Sequence, residues 1–81
     1  MNDDQARTVI AEVLHGIAPE ADLATVDPDE AMQEELELDS MDFLNLMIGI
    51  HERTGIEIPE RDYPEVATLS GCMRYLVARA G

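Results

Sequence analysis

Residues 39–55 read DSMDFLNLMIGIHERTG, and the spacing of apolar side chains in this stretch decides the fold. Phe43, Leu46, Met47 and Ile50 recur at three- and four-residue spacing, the pattern of one helix face turned toward a core. Met41, Leu44 and Ile48 keep the same period on a different face. A helix with two apolar stripes is either sandwiched inside a core or keeps one face for another molecule. Asp39 and Ser40 are both favoured at helix starts, and Gly55 stands where a helix commonly ends. The stretch therefore predicts a helix over about 40–54.

Upstream, Ala6, Val9, Ile10, Val13, Leu14 and Ile17 make one helical stripe. Asn2, Asp3 or Asp4 can cap its start, and Gly16 followed by Pro19 marks its end. Downstream, Leu69, Cys72, Met73, Leu76 and Val77 share one side of a helix over about 69–80, with Thr68 as the expected cap. Between these two, Gly55 to Pro59 reads as a short extended piece. Glu60 to Tyr63 is expected to form about one turn before Pro64 interrupts it. The connection from Ala18 to Asp39 is long, and such loops are functional or pinned by side chains. Val26, Met32, Leu36 and Leu38 are the candidates for pinning. The expected fold is all-α: a small antiparallel four-helix bundle of three main helices plus one short helix, with a long loop after the first helix. It is expected to be a single domain over residues 1–81.

Charge narrows the function. Lys+Arg number 5 against 18 Asp+Glu, a formal net charge of -13, and all five of the former are arginines. Such a surface repels nucleic acid and anionic membranes, so proteins with basic docking patches are the natural partners. Disorder is disfavoured by a hydrophobic content of 46%. The longest apolar run, Phe43 to Ile50, is too short to span a bilayer. The acidic start at Met1-Asn2-Asp3-Asp4 is unlike a secretory signal, so cytoplasmic residence is expected. A chain of 81 residues buries only roughly 60% of its unfolded surface, leaving little room for a deep pocket of its own.

Few side chains point to chemistry. Cys72, the single cysteine, falls on a core stripe and reads as a small buried hydrophobe. His15 and His51 lie on different helices without metal-ligand spacing, and His51 is expected to face solvent. An EF-hand starting at Asp27 fails, because Met32 and Leu38 occupy the positions that need glycine and glutamate. No nucleophile elbow or glycine-rich phosphate loop is present, so neither a catalytic nor a metal site is expected. Asp39-Ser40 taken alone is a helix cap. Its setting adds to that reading: Met41 follows on the stripe the core does not need, and eight acidic residues stand between Asp27 and Asp42.

At Glu35-Leu36-Glu37-Leu38-Asp39-Ser40-Met41 the chain resembles the acyl carrier protein family, whose pattern there is acidic-Leu-Gly-x-Asp-Ser-Leu. Ile56-Glu57-Ile58-Pro59 matches a second family segment at the right distance, and Val66, Thr68 and Leu69 lead into the last helix as they do in the family. Asp29-Glu30-Ala31-Met32 resembles the segment that tucks a large apolar side chain under the bundle. The likeness runs from about residue 4 to 78. It implies that Ser40 takes 4'-phosphopantetheine from coenzyme A through a phosphopantetheinyl transferase, and that Asp39 assists this modification. It further implies that Met41, Leu44 and Ile48, flanked by Glu37 and Asp42, dock acyl-loading and acyl-processing enzymes. Departures are Glu37 in place of glycine, Asn45 where an acid is common, and the bases His51 and Arg53 late in the helix. The implied protein is a monomeric, non-catalytic carrier of acyl groups for fatty-acid, polyketide or related biosynthesis. An aminoacyl or peptidyl carrier and an unmodified acidic helical adaptor are the alternatives.

Overall fold

The structure, a computed structural model describing residues 1–80, places its three long helices where apolar periodicity predicts them and adds short helical turns within the expected long loop. Helix α1 spans Asp3–Ile17, α2 Met32–Glu35, α3 Ser40–Thr54 and α4 Leu69–Ala80. A 3₁₀ turn covers Leu23–Thr25, and a 3₁₀ helix covers Glu60–Val66. Among the described residues there is no strand beyond a single antiparallel bridge between Ala31 and Thr68, so the chain is an all-α bundle. No described helix is long and apolar enough to cross a membrane.

Of the three residues able to start α1, Asn2 does so. Its side chain accepts from the Gln5 N–H at 2.8 Å, and the Gln5 side chain accepts from the Asn2 N–H at 2.9 Å. This reciprocal box satisfies two of the donors that a helix start leaves free. Gly55, left-handed at φ 72°, closes α3 by giving its N–H to the His51 carbonyl.

The core is built from the expected stripes. Ala6, Ile10, Val13 and Leu14 of α1 meet Phe43, Leu46, Met47 and Ile50 of α3, with Leu69, Cys72 and Leu76 of α4 completing it. Val26, Met32 and Leu38 pin the long loop from beneath, joined by Leu23, while Leu36 is half-buried. Backbone bonds finish the pinning: Met32 N–H to the Ala67 carbonyl at 2.8 Å and Ser70 N–H to the Pro28 carbonyl at 3.0 Å.

Two expectations need correction. Pro64 does not interrupt the turn after Pro59; the 3₁₀ helix runs through it to Val66. Proline's fixed φ suits 3₁₀ geometry, so the ring forfeits one donor without breaking the run. In α4, Tyr75 belongs to the core at 5% exposure, while Met73 and Val77 sit half-buried at its edge. Its hydroxyl donates to Asp62 Oδ2 at 2.7 Å and Arg79 lies over its ring at 3.8 Å, so the polar tip binds the 3₁₀ helix to α4. Burial first, and then the bond to Asp62, raise the phenol's pKa.

At Gly71, α4 passes close to that 3₁₀ helix. A Cβ there would collide with the Glu65 backbone carbonyl and crowd Thr68 Oγ1. Overpacking of this kind costs about 1–3 kcal/mol, more than the roughly 1 kcal/mol that alanine gains in helix propensity. Gly71→Ala is therefore expected to lower the urea midpoint; an unchanged or raised midpoint would contradict the close approach.

Cys72 has no exposed surface, and burial pushes its thiol up to about 12 from an ordinary 9.0. Because the folded state holds the neutral thiol, this contribution is intact below the unfolded value near 9 and is lost as pH rises toward 12. Wild type should accordingly lose stability with rising alkaline pH more steeply than Cys72→Ala. Parallel pH profiles for the two proteins would refute it.

Candidate functional site

The site begins with how the chain turns out of α2. Leu38 N–H reaches back to the Gln33 carbonyl at 2.9 Å and Glu37 N–H to the Glu34 carbonyl at 3.4 Å, with Glu37 at φ 54°. Those two bonds around a left-handed residue are the Schellman ending of a helix. Glycine is the usual occupant; a glutamate bears roughly 1–2 kcal/mol of steric cost for the same conformation. The turn buries Leu38 and sets Asp39 at the mouth of α3.

Asp39 then caps α3. Its backbone is extended, and its Oδ1 accepts from the Asp42 N–H at 2.8 Å. The cap role leaves Ser40, the first residue of the helix, with nothing to do for the fold. Ser40 is exposed, and among the described residues its hydroxyl makes no hydrogen bond. Every other serine or threonine hydroxyl is engaged. Thr8, Thr25 and Thr54 donate to carbonyls, Thr68 accepts from the Gly71 N–H, and Ser70 reaches Asp29 at 3.5 Å. Ser40 thus presents an unengaged hydroxyl outward from the start of α3.

Around Ser40 the second apolar stripe is uncovered. Met41, Leu44 and Ile48 are 64%, 39% and 46% exposed, and together with Met1 they are the large apolar side chains left open to solvent. Both stripes of the helix thus have an explanation: one makes the core, the other makes a surface. Glu37 and Asp39 stand exposed beside that surface and Asp42 is half-buried. Glu20 and Asp22, from the start of the long loop, share one acidic hollow with Glu34, Glu35, Glu37 and Asp42. Among the described residues no three potential ligands gather closely enough to hold a metal ion. Arg53 is turned toward Glu12 of α1 at 3.0 Å, an exposed pair worth little to stability. His51 is exposed, with Nδ1 3.0 Å from the Ile56 carbonyl.

A groove also opens at Ser40, which the sequence does not announce. It lies between α3 and the 3₁₀ helix and is lined by Phe43, Leu44, Tyr63 and Pro64. Tyr63 and Pro64 carry no helical period, so only their fold neighbours reveal the role.

A free serine hydroxyl, exposed apolar side chains and an acidic rim thus gather at the start of α3. Comparison with known proteins gives the family. A family model described as "Phosphopantetheine attachment site" matches residues 4–76. The acyl carrier protein of Rubrobacter xylanophilus is 32% identical over 56 residues, covering 69% of each chain. The acyl carrier protein of Renibacterium salmoninarum is 25% identical over 72 residues, covering 85% of this chain and 84% of its own. The chain belongs to the acyl carrier protein family, whose prosthetic group is a covalent 4'-phosphopantetheine.

The residues present fit that group. The exposed Ser40 hydroxyl would offer an attachment oxygen, the start of α3 would offer backbone N–H groups and the positive end of a helix dipole to a phosphate, and the groove would offer apolar surface to an arm.

Proposed function

We propose that this chain is an acyl carrier, not an enzyme, with Ser40 as the point of attachment. The observation that carries the reading is the Ser40 hydroxyl, alone among the described serine and threonine hydroxyls in having no hydrogen-bond partner. In the modification, the Ser40 oxygen attacks the phosphorus that bears pantetheine in coenzyme A. The pyrophosphate P–O bond breaks, the serine proton passes to a base of the transferase, and adenosine 3',5'-bisphosphate leaves. The arm supplies a terminal thiol on which acyl groups are held as thioesters. Asp39 serves this step twice, fixing Ser40 at the helix mouth through its cap and presenting negative charge to the transferase's metal or basic groups.

Met41, Leu44 and Ile48 form the surface that the transferase and the acyl-loading and acyl-processing enzymes grip. Glu37 and Asp42, with the acidic hollow behind them, steer basic patches onto it. Steering by a net charge of -13 raises association rates and weakens with salt. The protein is a single carrier domain working as a monomer in the cytoplasm, in fatty-acid, polyketide or related biosynthesis. Incubation with a promiscuous phosphopantetheinyl transferase, Mg²⁺ and coenzyme A, followed by mass measurement, tests it. A mass gain equal to one phosphopantetheine is expected, and no gain would end the carrier reading.

A further inference from the structure

Another hollow, of about 520 Å³, lies between α1 and α4 and shares no residue with the one at Ser40. Leu69, Met73 and Val77 recur along it at four-residue spacing, a row of about 12 Å at 1.5 Å per residue. Met73 and Val77 are only half-buried, so part of this row is apolar surface that the core leaves uncovered. Arg7 from α1 and Arg74 from α4 line the same hollow.

Those two guanidiniums are unusual in this chain. Arg53 pairs with Glu12 at 3.0 Å, and Arg79 donates to Asp62 at 3.5 Å while lying over Tyr75. Among the described residues neither Arg7 nor Arg74 has an ion-pair or hydrogen-bond partner, although the chain holds 18 acidic residues. Asp3, the one acid lining the hollow, pairs with neither. On a molecule of net charge -13 the hollow is thus an island of opposite sign, set beside an apolar row.

We infer that this face docks an acidic amphipathic helix of a partner protein, its apolar side chains on the Met73–Val77 row and its carboxylates against Arg7 and Arg74. Guanidinium groups match carboxylates with two parallel hydrogen bonds, which selects the sign and kind of partner. A row of about 12 Å accepts roughly two turns of helix, anchored through side chains three and four residues apart. A small free anion is repelled by the rest of the molecule, so the occupant has to bring apolar area as well as charge. Asp29, which Ser70 approaches at 3.5 Å, puts a negative charge at the Ser70 end, leaving the carboxylates to Arg7 and Arg74. The inference is independent of the modification of Ser40. It gives the chain two docking faces of opposite sign, so that one partner can hold it while Met41, Leu44 and Ile48 serve another.

The test titrates the full chain with a synthetic alanine-based helical peptide carrying leucines three and four residues apart and glutamates beside them, and maps backbone amide shifts. Amides of Arg7, Met73, Arg74 and Val77 should move, and those of Met41, Leu44 and Ile48 should stay in place. The same peptide with lysines for glutamates should leave the α1–α4 amides unmoved. Arg7→Gln combined with Arg74→Gln should weaken the glutamate peptide about tenfold, from two exposed charge pairs. Should the double variant lose its dispersed spectrum, Arg74→Gln alone, at an exposed position, is expected to weaken binding by about half that factor on a logarithmic scale. A glutamate peptide that moves no α1–α4 amide, or binds the variants as tightly as wild type, would overturn the inference. So would equal shifts from the lysine peptide, which would make the face merely apolar. Decanoate alone reproducing the shifts would make the occupant a small anion. Sedimentation showing wild type self-associated and the variants monomeric would make it a second copy; either result overturns the partner helix.

Discussion

Ser40→Ala is expected to gain no phosphopantetheine mass under conditions where the wild-type chain is converted completely. The loss should be total, because the chain holds only one other serine and its setting is unsuitable. Ser70 is half-buried inside the first turn of α4, with its N–H bonded to the Pro28 carbonyl and its hydroxyl directed at Asp29. The substitution should leave the fold intact, since the capping of α3 is done by Asp39 and Ser40 buries nothing. An unchanged circular dichroism spectrum and melting temperature beside zero mass gain is the expected pair of results. A variant that still gains the mass would move the attachment elsewhere. The pair also separates a carrier from an unmodified adaptor, whose biological activity would survive Ser40→Ala and depend instead on Leu44 and its exposed neighbours.

Leu46→Ala is expected to cause a large loss of stability, and Leu44→Ala, two residues earlier on α3, almost none. Leu46 has no exposed surface and lies against α1 within the core, whereas Leu44 is 39% exposed. Truncating a buried leucine removes its burial and leaves a cavity, at about 2–5 kcal/mol. Small domains have only about 5–15 kcal/mol to lose, and at this size each kcal/mol shifts the melting temperature by roughly 4–8 °C. Leu46→Ala should melt roughly 8–40 °C below wild type by the same scaling. Leu44→Ala should stay close to wild type in melting while weakening association with the transferase. Equal destabilisation by the two substitutions would mean that the outer stripe is core after all, and the docking surface would disappear with it.

The contrast between these leucines marks where the sequence stops being informative. Both belong to apolar stripes of helical period, and periodicity alone leaves open which stripe the bundle needs. Phe43, Leu46, Met47 and Ile50 are chosen by the positions of α1 and α4, which no local pattern encodes. The same holds for Tyr75, omitted from the α4 stripe because its amphipathic side chain is favoured inside only where Asp62 waits for its hydroxyl. Pro64 was read as a breaker by α-helical rules, and the 3₁₀ geometry that admits it is set by packing against α4. Glu37 is the opposite case: its departure from glycine was visible in the sequence, and the left-handed turn at that position gives the departure its physical content.

By itself the sequence determined the helical class, the bounds of α1, α3 and α4, the acidic character and Ser40 as the candidate serine. These follow from nearest-neighbour spacing, capping chemistry and charge, which act within a few residues or over the chain as a sum. Only the tertiary structure decided that the Ser40 hydroxyl is unengaged, that Met41, Leu44 and Ile48 face solvent, and that a hollow lined by Phe43, Leu44, Tyr63 and Pro64 opens at Ser40. Exposure and enclosure depend on which distant segments arrive, and here those segments are the pinned loop and the 3₁₀ helix, held by side chains with no period to announce them.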